Sequence, residues 1–285
     1  EDGSELIEAH TIRYDILALA MGSVSNDFGV PGVKEHCLYL DSRVQADRFR
    51  TRLLNHCLRV SRAMMNDPTA NEQVRVAIVG GGATGVELAA ELYNAAGALR
   101  HYGLEVFDES RLHVTLLEAG PRILPGLSEP LSAAVAGVLS GLGVSVDTGV
   151  KVTAVTPTAV HTADGTELPA SLVVWAAGIR APAFLHALDG LECDRIDRLV
   201  VDDCLRTTVD ENIFAFGDCA AAPWNGGPTC LPPRAQVAHQ QASHLARVLP
   251  ARVQGKAPLP FRYRDQGSLV SLGRHDTLGN LMGFI

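Results

Sequence analysis

The sequence predicts an α/β fold built on parallel sheets. Three observations lead there: from Val74 onward short apolar runs alternate with segments of helical spacing, a glycine turn joins the first of these strands to its helix, and a second apolar strand follows that helix. Taken in order, Glu5 to Ile12 alternates as a strand would, and Tyr14 to Ala20 is a short apolar run closed by Gly22, the profile of a buried strand. Ser23 to Gly32 supplies loop chemistry, including Pro31-Gly32. Asp41 to about Met65 has helical spacing, with Asp41 or Ser42 as N-cap and Leu53, Leu54 and Leu58 on one face. The polar stretch Asn66 to Gln73 contains Pro68, which ends that helix and marks the expected domain boundary. Strand Val74 to Val79, helix Thr84 to about Arg100, strand Leu112 to Glu118, helix Pro130 to Leu142 and a strand around Val144 to Val146 follow. Short alternating pieces come next, Lys151 to Val155, Ala159 to Thr162 and Glu167 to Pro169, with Asp164-Gly165 as a hairpin turn. Leu172 to Trp175 is another buried strand, ended by Ala177-Gly178.

A length of 285 residues fits one or two domains, and two is the better expectation. With 24 Lys plus Arg against 32 Asp plus Glu, the net charge of −8 gives no basic surface for phosphates, which excludes nucleic acid as a partner. Cys37, Cys57, Cys193, Cys204, Cys219 and Cys230 form no C-x-x-C pair and do not cluster with histidines, so no metal is expected and the thiols read as reduced. His101, His113, His161, His186 and His244 lack metal-ligand spacing, and the arginines between Arg43 and Arg62 read as a solvated helix face. No apolar run reaches about 18 residues, so no membrane-spanning helix is expected, and Glu1 to Ile12 has neither the basic nor the apolar region of a signal peptide. Repeats of 20–50 residues and low-complexity tracts are lacking as well, which removes solenoids and linkers.

The strongest signal is the run from Val76 to Leu92, a GxGxxG that leaves an apolar strand and opens a helix. Gly80 permits the tight turn, Gly82 permits close backbone approach to a pyrophosphate, and Gly85 permits close packing of helix on strand. The helix then presents unpaired N–H groups and its positive dipole end to the anion. At the end of the next strand Glu118 is placed to accept hydrogen bonds from ribose hydroxyls and to repel a 2′-phosphate, which favours NADH over NADPH. Glu118 lies farther along than the ~20 residues usual for this acid, a distance that Ala95 to Ser110 accounts for; a solvated strand end is the other reading. A second cluster, Asn212 to Ala220, is a strand that stops at Gly217-Asp218. Asp218 there reads either as an acceptor for a polyol or as a helix N-cap.

These residues carry a resemblance. Leu17 to Ser23, the helix after Gly80, Val173 to Arg180 and Ile213 to Ala220 occur in the order found in two-dinucleotide-binding-domain flavoproteins of the glutathione-reductase type, with Rossmann-type parallel sheets and β-meander crossovers. Ser25 to Gly32, Ala235 to Gln241 and Phe261 to Gly273 resemble type II NADH:quinone dehydrogenases in particular. The resemblance implies FAD and NADH as cofactors, hydride transfer from NADH to flavin, and a quinone as electron acceptor. It implies residues 1–72 as part of an FAD-binding domain lacking its first ADP-binding unit, 73–181 as the NADH-binding domain, and 182–285 as the remainder of the FAD-binding domain.

Cofactor contacts carried over are Gly22, Gly178, Gly217, Asp218, Ala238 and His239 beside Gly80, Gly82, Gly85 and Glu118; quinone contacts are Gln236, Gln240 and Gln241. Glu87 matches a residue near nicotinamide and flavin, while its position in the helix's first turns also suits a carboxylate stabilised by the dipole. As catalytic residues we expect Glu87, Gln236 and Gln240. The chain reads as truncated at both ends, so membrane contact is expected only through segments outside it, at the cytoplasmic face of the inner membrane in the full-length protein, or else in the cytoplasm; a homodimer is compatible with the resemblance. Because C-x-x-C and C-x4-C pairs are absent, a protein disulfide is not the acceptor. Two rivals remain: a ferredoxin or rubredoxin reductase with a protein acceptor, and a non-catalytic NADH-binding fragment.

Overall fold

A computed structural model describes residues 10–67, 69–99, 107, 109–273 and 277–281. The start of the expected Glu5 to Ile12 strand, Pro68, Arg100, His101 and most of the long crossover after Leu99 lie outside the described residues.

The chain forms two compact units, one of Glu1–Val24 with Arg180–Arg264 and one of Ser25–Ile179 with Asp265–Ile285. This differs from the expected boundaries at 72/73 and 181/182. The reason lies in backbone pairing and packing: Leu38 N–H donates to Val173 O at 2.8 Å and Trp175 N–H to Leu38 O at 2.9 Å, while Phe49, Cys57 and Val60 of the Arg43–Asn66 helix join the core beneath the Val74–Val79 strand. Residues 25–66 therefore belong with the sheet that follows them.

That larger unit is built on a four-stranded parallel sheet in the order Ser145–Thr148, Leu112–Glu118, Val74–Val79, Leu172–Trp175. The side-chain period of two divides it into two buried faces. Val76, Ile78, Leu116 and Val174 pack under the Ala83–Leu99 and Glu129–Gly141 helices, which contribute Val86, Ala89, Val135 and Leu139. Ala77, Val79, Leu117, Val173 and Trp175 face the antiparallel meander Val152–Val155, Ala159–Thr162, Glu167–Pro169. Ser42 caps the Arg43–Asn66 helix, accepting from Gln45 N–H; Asp41, the alternative cap, instead accepts from the Ser25 N–H at 3.0 Å and hydroxyl at 2.6 Å.

In the smaller unit, Leu17–Leu19 pairs in parallel with Ile213–Ala215, and the Ala235–Val253 helix packs Val237, Leu245 and Val248 onto Phe214, Ala215 and Cys219. The first strand is shorter than the apolar run Tyr14 to Ala20 because its ladder partner is only three residues long. All six cysteines are free, in keeping with the reading of reduced thiols. Among the described residues no helix is long and apolar enough to cross a membrane.

Candidate functional site

Parallel pairing aligns the C-terminal ends of three strands in the larger unit, since Val79 lies opposite both Leu117 and Trp175. Gly80, Glu118 and Ala176 therefore meet at one sheet edge, the edge where open α/β sheets bind ligands. The three glycines are held by different constraints. Gly80 has φ 115°, and a Cβ there would lie 2.4 Å from Ala176 O. A Cβ on Gly85 would stand 2.0 Å from Gly80 O, so the helix can sit this close to the turn only without a side chain. Gly82 has nothing within 4 Å of the same position, and its open face is the one a pyrophosphate would approach.

Glu118 is more than a solvated strand end. One carboxylate oxygen accepts from Gly81 N–H at 2.7 Å and the other from Gly120 N–H at 2.6 Å, so it ties the glycine turn to the loop after its own strand. Both bonds are charge-assisted, and each oxygen retains a lone pair for a ribose hydroxyl. Beside it lies a cavity of about 550 Å³ lined by Gly80, Glu118, Lys151, Trp175, Ala177 and Phe28. A volume of that order suits a nucleotide-sized ligand.

Sequence reasoning did not single out Phe28, Lys151 or Trp175 for this site. Trp175 donates its indole N–H to Asn26 O at 2.7 Å, and the Phe28 ring stands over Gly178, where an added Cβ would be 3.0 Å from Phe28 Cζ. Only the fold brings residues 26–28 to this strand end. The exposed Glu87 is not turned into the cavity: its Oε1 accepts from Ser271 N–H at 3.2 Å, on the Gly267–Ser271 strand.

The smaller unit carries the other cluster. Asp218 sits within a short 3-10 turn, Gly217–Cys219, and not at a helix N-cap position. Its Oδ2 accepts the Ser23 hydroxyl at 2.9 Å, which brings the loop after Leu17–Leu19, with Gly22 at φ 66°, alongside the Gly-Asp turn. A Cβ on Gly217 would meet Ala238 Cβ at 3.4 Å, so the first turn of the Ala235–Val253 helix abuts the same turn. His239 on that helix is exposed.

The glutamines differ from one another. Gln240 is spent in part on the backbone of Arg264, donating to its carbonyl at 2.8 Å and accepting from its N–H at 3.0 Å, and Gln236 also has an interaction partner. Gln241, also expected as a quinone contact, is 1% exposed and its Oε1 accepts from Gly217 N–H at 2.8 Å. The helical period places it on the buried face with Val237 and Leu245.

Of the histidines, His186 pairs with Asp197 at 2.6 Å and His244 is buried against Leu259 O. The group Asp202, Asp203 and Cys204 brings ligand-type atoms together among the described residues, and there Asp202 is already held by Arg206 at 2.7 Å.

A parallel sheet with a glycine turn at its ligand edge, a meander on one face, and a second unit whose Ile213–Ala215 strand runs into a Gly-Asp turn define a two-dinucleotide-binding-domain flavoprotein fold. Residues 3–242 match the pyridine nucleotide-disulphide oxidoreductase family, and the chain belongs to it. It is 47% identical over 99% of its length to a type II NADH:quinone oxidoreductase of Haemophilus influenzae, and 30% identical over 95% to one of Staphylococcus aureus. The chain spans 65% and 66% of those relatives' lengths. The solved structure of NDH2 from Plasmodium falciparum in complex with NADH superposes with a TM-score of 0.80 at 19% identity, over 95% of this chain and 70% of that one. A ferredoxin reductase from Rhodopseudomonas palustris gives a TM-score of 0.73 at 25% identity, over 95% of this chain and 58% of that one.

Proposed function

We propose that the protein to which this sequence belongs oxidises NADH by hydride transfer to FAD and delivers the electrons to a quinone. The observation that carries this reading is the 47% identity, over 99% of the chain, to a type II NADH:quinone oxidoreductase. In this reading the unit of Ser25–Ile179 holds NADH and the unit of Arg180–Arg264 contributes to the FAD site.

The donor set fits the nucleotide. Gly82 leaves open space for a pyrophosphate, the N-terminal N–H groups of the Ala83–Leu99 helix face it, and Glu118 offers acceptors to the ribose while disfavouring a 2′-phosphate. Gly178, with no Cβ of its own, leaves room for the Phe28 ring that stands over it beside the end of the Leu172–Trp175 strand. The donor set in the other unit fits the ribityl and pyrophosphate region of a flavin nucleotide: Asp218 accepts from a polyol hydroxyl, and Gly22 and Ala238 permit close approach.

FAD supplies the two-electron chemistry when bound, and the chain binds, orients and shields. Gln236, His239 and Gln240 would hold the flavin and receive the quinone; the second Nε2 hydrogen of Gln240 remains a donor for a quinone carbonyl after its bond to Arg264. Glu87 acts near the nicotinamide once released from Ser271. All six cysteines are free thiols, already fully reduced sulfur that has no S–S bond to accept two electrons, which supports a diffusible acceptor. The full-length protein works in the cytoplasm or at the cytoplasmic face of the inner membrane.

The test is an anaerobic absorption spectrum of the chain with FAD, then NADH, then a short-chain quinone, followed at the flavin band near ~450 nm. Bleaching by NADH that a quinone reverses is the expected result. Bleaching reversed by ferredoxin alone would overturn the quinone assignment, and NADH binding without flavin uptake would reduce the chain to a nucleotide-binding module.

A further inference from the structure

We infer that Gln241 is a positioning residue that fixes the Gly217–Asp218 turn, so that Asp218 presents a single carboxylate oxygen to a polyol hydroxyl of the flavin nucleotide. This rests on the flavin reading above.

The argument begins with an amide in an apolar place. Gln241 is 1% exposed on a helix face otherwise made of Val237, Leu245 and Val248 together with His244, and a buried amide without a partner costs heavily. Its partner is specific. The parallel ladder ends when Phe216 N–H donates to Leu19 O at 3.1 Å, and Gly217 then turns out of the strand with φ 73°. The Gly217 N–H is the first in this segment with no strand carbonyl ahead of it, and Gln241 Oε1 takes it at 2.8 Å. Packing adds a second constraint, since Ala238, one helical turn before Gln241, lies against Gly217.

With the backbone so held, the side chain of Asp218 is fixed from another direction by the Ser23 hydroxyl on Oδ2. Among the described residues Oδ1 has no protein donor, which leaves it as the acceptor for a ligand. Gln241 and Ser23 thus act as two separate struts, one on the backbone of the turn and one on the carboxylate.

Three variants separate the struts. Gln241→Glu keeps a side-chain oxygen at the same reach, Gln241→Met keeps the length without an acceptor, and Ser23→Ala removes only the carboxylate contact. The readouts are hydrogen exchange of the Gly217 amide in the chain without added cofactor and the dissociation constant for FAD by flavin fluorescence.

We expect Gln241→Met to speed Gly217 exchange and weaken FAD binding, each by about tenfold, the scale of one lost hydrogen bond. Gln241→Glu, measured in buffer acidic enough to keep its buried carboxyl neutral, is expected to stay within about threefold of wild type on both, and Ser23→Ala to weaken FAD binding while leaving Gly217 exchange unchanged. Wild-type exchange or wild-type FAD affinity in Gln241→Met would overturn the inference, as would a Gln241→Glu variant as impaired as Gln241→Met. Should Gln241→Met not fold, an effect of Ser23→Ala on Gly217 exchange equal to its effect on FAD would overturn the two-strut arrangement. Absence of FAD uptake by the wild-type chain would reduce the chain to a nucleotide-binding module, and Gly217 exchange would then decide the role of Gln241 in the turn.

Discussion

Replacing Glu118 by Gln tests whether the strand-end acid holds the glycine turn as well as the nucleotide. The carboxylate accepts two backbone N–H groups, Gly81 at 2.7 Å and Gly120 at 2.6 Å, one on each oxygen. A carboxamide has one acceptor oxygen, so one of the two N–H groups must face an NH2. Hydrogen bonds to charged groups contribute about 1.5–3 kcal/mol, discounted here because Glu118 is only half-buried, so a loss of about 2 kcal/mol is expected. For a unit of this size that corresponds to a fall in Tm of about 4–8 °C. Thermal unfolding by circular dichroism reads this directly. In parallel, titration with NADH and NADPH should show weaker NADH binding and a smaller preference for NADH, because the charge that repels a 2′-phosphate is gone. A Tm within about 1 °C of wild type together with an unchanged preference would refute the reasoning and return Glu118 to a solvated strand end.

Two further predictions concern packing and pH. Gly85→Ala places a methyl 2.0 Å from Gly80 O and should destabilise the chain by more than about 2 kcal/mol, whereas Gly82→Ala meets open space and should leave stability within about 1 kcal/mol while weakening NADH; melting curves paired with NADH fluorescence titration distinguish them. Burial, with a smaller contribution from Glu35, holds Cys37 at about 12, and burial holds Cys57 at about 11, both above the ordinary 9.0. Ionisation of these thiols then favours the unfolded chain: stability is intact below pH 9 and falls as pH rises toward 11–12, by up to about 1.4 kcal/mol per pH unit per thiol, which urea denaturation at pH 8 and pH 10 measures against Cys37→Ala.

Much of the larger unit was legible from local pattern. The strands Val74–Val79, Leu112–Glu118, Ala159–Thr162, Glu167–Pro169 and Leu172–Trp175 fall where period-two apolar runs end at turn residues, and the Ala83–Leu99 helix begins one residue from its expected start. These elements are specified by neighbours within a few residues, through side-chain period and turn chemistry. The polar stretch Asn66 to Gln73 marks the end of a helix through its proline, while the grouping of that helix with the sheet that follows depends on a distant backbone pairing at Leu38.

By itself, then, the sequence determined the glycine turn, the helix that follows it, the acid at the next strand's end and the Gly-Asp turn, each written in contiguous residues. Only the tertiary structure decided what those groups touch. Ser23 reaches Asp218 across 195 positions, Glu118 reaches Gly81 across 37, and Gln241 turns inward to Gly217 while its neighbour Gln240 turns to Arg264. The physical reason is that adjacent residues on a helix point about 100° apart, so burial assigns Gln240 and Gln241 to different faces. Which face meets the core is set by the packing of the whole helix.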